Sequence, residues 1–210
     1  GLLKPPDPSD ALGYLTSVSI LGADIAFEDR RRGLSWRGLP VDITMFRDDI
    51  GIGGVASLDL DVGGTKAHFE VTGEYDSEQG TIDLEARFAD TELVRFAGKA
   101  PVLRPLSALH APVSGTVGLT IGLDGRFRGL RFDFTAGKGA VSLPGLYAKP
   151  LGFRKIRARG RIGDNFSKLS MEKMEVDFGG PKLSITGGVR RKDGAFAVTA
   201  DARLNNLSIG

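Results

Sequence analysis

"KAHFEVTGEYDSEQGTIDLEARF", residues 66–88, decides the fold. Phe69, Val71, Gly73 and Tyr75 alternate with Glu70, Thr72 and Glu74. A polar turn, Asp76-Ser77-Glu78-Gln79-Gly80, follows. Ile82, Leu84, Ala86 and Phe88 then alternate with Asp83, Glu85 and Arg87. Strict period 2 on both sides of a Gly-closed turn predicts a β-hairpin with one apolar face. The pattern returns near the C-terminus. Leu183, Ile185, Gly187 and Val189 lead into Arg190-Arg191-Lys192-Asp193-Gly194, and Phe196, Val198, Ala200 and Ala202 follow. Leu183 stands 114 positions after Phe69 (183 − 69), and at that offset Thr72 meets Thr186, Gly73 meets Gly187 and Gly80 meets Gly194. The chain reads as two copies of one β unit.

Working outward, the same alternation recurs with few interruptions. Val18 and Ile20, Ile25 and Phe27, Leu34 and Trp36, and Val41, Ile43 and Met45 mark short strands ahead of the hairpin. Arg30-Arg31-Arg32 and Asp48-Asp49 read as turns, and residues 50–62 alternate loosely around Gly51, Gly53 and Gly54. Beyond it, Val117 to Leu123, Leu130 to Ala136, Ile156 to Ile162, and Leu169 to Phe178 continue the pattern, the last as two strands. About a dozen strands joined by short turns imply an antiparallel meander, a sheet of roughly 55 Å at ~4.8 Å per strand. Two stretches differ. Leu93, Val94 and Phe96 suit a short helix capped by Asp90 or Thr91. Leu103, Leu106 and Leu109, between Pro101, Pro105 and Pro112, form an interrupted helical patch shaped to pack as a lid on an apolar sheet face. Ser9 caps a predicted turn over Asp10 to Leu15. The expected organisation is a first β-groove unit over 1–100, a Pro/Leu-rich connector over 101–115, and a second unit over 116–210. The opening Gly1-Leu2-Leu3-Lys4-Pro5-Pro6 reads as a cut from a longer chain.

Composition narrows the function. The 210 residues are 41% hydrophobic and 26% charged, ordinary for a folded chain of this length. A formal net charge of +2 supplies no global field for nucleic acid, so none is expected as a partner. Cysteine is absent, which removes disulfides, thiolate catalysis and Cys-based metal sites. No run reaches the ~18 apolar residues of a membrane-spanning helix. The 30 glycines are scattered through the alternating runs, as turns, bulges and kinks require.

Catalytic patterns do not assemble. His68-Phe69-Glu70 matches only the opening of a zinc-deaminase signature, whose cysteines are missing, so His68 is placed on the polar face of its strand. Gly51-Ile52-Gly53-Gly54 lacks the third spaced glycine of a nucleotide loop, and Gly63-Gly64-Thr65-Lys66 lacks the upstream half of a P-loop. Asp59, Asp61, Asp83 and Glu85 alternate with apolar residues, as solvated strand faces do. No catalytic residue, metal site or cofactor is expected, and the chain is read as a non-enzyme. Lys155, Arg157, Arg159 and Arg161 line one strand face. That stripe reads either as an outer solvated face or as a contact for anionic headgroups or a partner protein.

The apolar face carries Phe69, Val71, Ile82, Leu84, Phe88, Leu119, Ile121, Leu123, Phe132, Phe134, Phe178, Leu183, Ile185, Phe196, Val198 and Leu204. A sheet can bury such a face in a sandwich, close it into a barrel, or curl into an open trough holding apolar ligand. Periodicity alone leaves all three open.

A family resemblance bears on the choice. "LTSVSILGADIAFEDRRRGLSWR" (15–37), "HAPVSGTVGLTIGLDGRFRGLRFDFTAGKGAVSLPGL" (110–146) and "KLSMEKMEVDFGGPKLSITGGV" (168–189) resemble the AsmA-like family of Gram-negative envelope proteins, in particular its YhdP and TamB branch. The resemblance spans nearly the whole chain. It implies a long curved antiparallel β-sheet, an open groove or half-pipe built from two repeated β units with short helical segments between them. It also implies a role like that of bridge-like lipid transfer proteins. Such proteins are anchored in the inner membrane, extend through the periplasm and conduct phospholipid towards the outer membrane. The expectation is therefore a segment whose groove carries phospholipid acyl chains, with the membrane reached through other parts of the protein. The alternative is a β-rich scaffold for outer-membrane assembly or envelope protein partners, without lipid cargo. A closed structural sandwich is the third reading.

Overall fold

The computed structural model describes residues 15–29, 34–47, 51–62, 65–98, 101–145, 147–163, 167–192 and 195–206. The expected turn after Ser9, the Arg30 to Arg32 turn and the Asp48-Asp49 turn lie outside or at the margins of these residues. The chain is mainly β. Eleven strands form one antiparallel sheet in the order β1-β2-β3-β4-β5-β7-β8-β11-β12-β13-β14. They are β1 (Ser17–Asp29), β2 (Leu34–Arg47), β3 (Ile52–Val62), β4 (Thr65–Asp76), β5 (Thr81–Glu92), β7 (Pro112–Gly122), β8 (Phe127–Ala136), β11 (Lys155–Gly163), β12 (Lys168–Asp177), β13 (Lys182–Lys192) and β14 (Ala195–Asn205). β1 and β14 are the two edges, so the sheet is not closed into a barrel, as expected of an open groove. At ~4.8 Å per strand it extends roughly 50 Å from edge to edge.

Meander topology follows from the turns. Asp76 accepts hydrogen bonds from the backbone N–H groups of Glu78 and Gln79, each at 2.9 Å, which fixes the turn between β4 and β5. Asp124 does the same for Arg126 at 2.9 Å between β7 and β8. The two repeated hairpins differ in one respect. Asp76 pairs with Thr81 across a four-residue turn, whereas Lys192 pairs with Ala195, leaving only Asp193-Gly194 between the strands. The second hairpin is therefore paired two residues tighter. An even shift keeps every side chain on its face, so the repeat survives the change.

Two connections are long, and both leave the same end of the sheet. Between β5 and β7 lie two 3-10 turns, Leu93–Phe96 and Pro101–Ala108, then β6 (Leu109–His110). Between β8 and β11 lie β9 (Gly139–Val141) and β10 (Leu151–Phe153). β10, β9 and β6 pair into a second, three-stranded sheet. The 3-10 turns and this small sheet form a cap over one end of the apolar face.

Several local expectations are corrected. The predicted helix from Asp90 is strand as far as Glu92, and the 3-10 turn begins at Leu93 with no side-chain cap. Asp90 instead adopts φ 46°, and its N–H donates to the Ser114 hydroxyl at 2.9 Å. Leu169 to Phe178 is not two strands. β12 is continuous to Asp177, with a register shift against β13 between Met171 and Met174. Val18 to Phe27 is likewise one strand, with shifts either side of Ala23. A bulge changes the parity of the apolar residues without ending the strand.

Candidate functional site

Directly opposed residues share a face of an antiparallel sheet, so register identifies the faces. One row of neighbours crosses all eleven strands: Ala23, Val41, Leu58, Phe69, Phe88, Gly115, Phe134, Ala158, Met174, Ile185 and Ala202. A second runs Ile20, Ile43, Ala56, Val71, Ala86, Val117, Phe132, Gly160, Met171, Gly187 and Ala200. A third runs Val18, Met45, Gly54, Gly73, Leu84, Leu119, Leu130, Ile162, Leu169, Val189 and Val198. No polar side chain interrupts any of the three. The bulges are what keep these rows in phase.

Most residues singled out from the sequence fall on this face. Phe69, Val71, Leu84, Phe88, Leu119, Phe132, Phe134, Ile185 and Val198 lie in the rows themselves. Ile82 opposes Tyr75 and Ile121, and Leu183 opposes Leu204. Phe196 opposes Arg191 at the end of the last hairpin. Phe178 lies just past β12 and packs against the buried cluster. Leu123 sits in the turn after β7, 53% exposed, its N–H donating to the Gly80 carbonyl at 3.0 Å.

The face has two unlike halves. Under the cap, Phe88, Ala111, Val113, Ala136, Phe153 and Val176 form a buried cluster, with Leu93, Leu109 and Val141 of the cap packed against it. Phe96 meets Phe69 edge-on with ring centres 6.3 Å apart. The aromatic row continues from Phe69 to Phe88 at 5.6 Å, to Phe134 at 5.7 Å and to Phe132 at 5.3 Å. β7 would separate Phe88 from Phe134, but Gly115 stands between them. A β-carbon there would lie 2.8 Å from the Phe134 ring. Each such aromatic pair contributes about 0.5–1.5 kcal/mol beyond simple burial. Away from the cap, Ile82, Leu84, Leu119, Ile121, Leu130 and Ile162 are only half-buried. Towards β14, Phe196 and Val198 are 69% and 65% exposed.

The opposite face is polar and carries charge of both signs. Asp59, Asp61, Glu70, Glu74, Asp83 and Glu85 lie on β3 to β5 with Lys66 and Arg87 among them, and Arg131, Arg157, Arg159, Arg161 and Lys168 lie on β8, β11 and β12 with Asp133 and Glu175 among them. His68 lies on this face, with Nδ1 2.8 Å from the Asp59 carboxylate. The stripe of Lys155, Arg157, Arg159 and Arg161 is exposed. Arg159 Nε donates to Asp133 at 2.8 Å, and Arg161 Nε lies 2.6 Å from Glu172. Arg131 lies 3.6 Å from Glu85, a longer contact. Exposed pairs of this kind contribute under about 1 kcal/mol each. Register-dependent features of this face, such as Arg131 lying across Gly118 of the next strand, have no signal in the sequence.

Among the described residues no group of three or more His, Asp or Glu side chains is placed to hold a metal ion, and no helix is long and apolar enough to cross a membrane. The arrangement offers an apolar contact surface, half-buried away from the cap. No protein-family model, no curated protein and no solved structure matches this chain.

Proposed function

We propose that this chain is a segment of an envelope lipid-transport bridge, in which the uncapped half of the apolar face carries phospholipid acyl chains between the inner and outer membranes. The observation that carries the proposal is the set of three uninterrupted apolar rows crossing eleven strands, combined with a cap that covers only one end of them. A core sheet would bury the whole face. The resemblance to the AsmA-like family supports the same reading, and with it a periplasmic location within an inner-membrane-anchored protein.

Physical chemistry favours such a surface. Burying a methylene is worth ~0.8 kcal/mol, so an acyl chain of about sixteen carbons in water costs on the order of 10 kcal/mol. A continuous apolar face cancels most of that cost at every step. It does not trap the lipid, because transfer onward to a bilayer is nearly neutral. Lipid moving across the strands meets no charged residue in the rows.

The test is gentle purification, lipid extraction and mass spectrometry of the parent chain beside Ile121→Asp and Val198→Asp. Both positions lie clear of the buried cluster, unlike Phe134, which packs against it. Phospholipid bound to the parent and lost from the folded variants is the expected result. A lipid-free, stable parent contradicts the proposal. A second reading, a scaffold that pairs with strands of other proteins, is favoured by the edge strand β14, exposed over its whole length from Ala195 to Asn205. In that case function follows backbone pairing at β14 and is indifferent to charge at Ile121.

A further inference from the structure

We infer that the polar face carries a binding site for a phosphate-bearing ligand, between β7, β8, β11 and β12 at their uncapped ends. This inference does not rest on lipid conduction, because the site lies on the opposite face of the sheet from the apolar rows. A cavity of about 730 Å³ opens there, bordered by Arg128, Arg131, Arg161 and Lys168. Gly118, Gly129 and Gly163 line it together with Thr120 and Ser170.

Two of the arginines are seated on glycines. A β-carbon at Gly118 would stand 2.5 Å from Arg131 Nε, and one at Gly122 would stand 2.9 Å from Arg128 Nε. Each guanidinium therefore lies across a strand that has no side chain in its way. An arginine on an ordinary strand face stands out into solvent with many rotamers. Here the adjacent glycine gives the side chain a defined bed, which lowers the entropy cost of presenting its donors.

Among the described residues the cations are only partly neutralised. Glu172 is the one carboxylate bordering the cavity among the described residues, and it pairs with Arg161 at 2.6 Å. Asp124 lies 3.3 Å from Arg128, and Glu85 lies 3.6 Å from Arg131. Each guanidinium has five N–H donors, and a single carboxylate takes at most two of them. Donors remain on three arginines around a space larger than one orthophosphate. That geometry suits a ligand with several phosphate oxygens, either a soluble polyphosphate or a phospholipid headgroup reaching over the strand ends.

Isothermal titration at low salt tests this with two probes, inorganic pyrophosphate and dihexanoyl phosphatidylglycerol. At least one should bind, and Arg131→Gln and Arg161→Gln should each weaken it about tenfold, the loss of one charge-assisted contact. Gly118→Ala keeps every charge and displaces only Arg131, so it should weaken binding as Arg131→Gln does. Lys182→Gln, a cation of the same face outside the cavity, should leave binding unchanged. Binding of pyrophosphate assigns a soluble anion, and binding of the lipid alone assigns a headgroup. Failure of both probes overturns the inference. Equal loss in Lys182→Gln, or none in Gly118→Ala, also overturns it, because binding would then reflect only overall charge.

Discussion

The two ends of the apolar face are built from the same residue types on the same strands, yet they do different things. At the capped end, Val113 is 1% exposed and Val176 is 5% exposed. At the other end of β7, Leu119 and Ile121 on the same face are only half-buried. The difference lies in the connections. Short turns leave one end bare, and two long connections fold back over the other. Apolar alternation thus marks a face without saying whether that face is a core or a surface for something else.

The comparison can be broken most forcefully by a charge. Val113→Asp places an unpaired carboxylate in the buried cluster and should abolish folding, read by circular dichroism and thermal melting. Val198→Asp should fold with a nearly unchanged melting temperature. A milder version removes volume. Phe88→Ala should cost about 3–5 kcal/mol in urea unfolding, because Phe88 is packed between Phe69 and Phe134, whereas Leu84→Ala in the open half should cost clearly less. Phe153→Ala acts on the cap. It should lower stability by about 3 kcal/mol and speed amide exchange selectively in the 3-10 turns and the small sheet, leaving β2 and β3 protected. The smallest effect belongs to the polar face, where Arg159→Gln removes the ion pair to Asp133 and should change stability by less than about 1 kcal/mol.

Much of this was legible in the sequence. The hairpin at 66–88 fixed both its own faces and the parity of its neighbours, and the Pro-spaced leucines at 103, 106 and 109 announced a lid. What failed was continuity. Met171 and Met174 have opposite parity, and parity alone reads that as a strand end. Pairing with β11 and β13 shows a bulge that restores the phase. Asp90 has the chemistry of a helix cap, but β7 supplies Ser114 to its N–H and holds the chain extended through Glu92. The arginine beds were also out of reach, since Gly118 and Arg131 become neighbours only through the register of β7 with β8. Local chemistry was readable where partners are close in sequence, and hidden where a second strand decides.

On the proposed function, the open half meets acyl chains while the capped half is sealed core. Methyl NMR with a phospholipid carrying a nitroxide on its acyl chain tests it most directly. Strong broadening of the Leu84, Leu119 and Ile121 methyl signals is expected, with Val113 and Val176 protected. Equal broadening at both ends, or none at either, would contradict it.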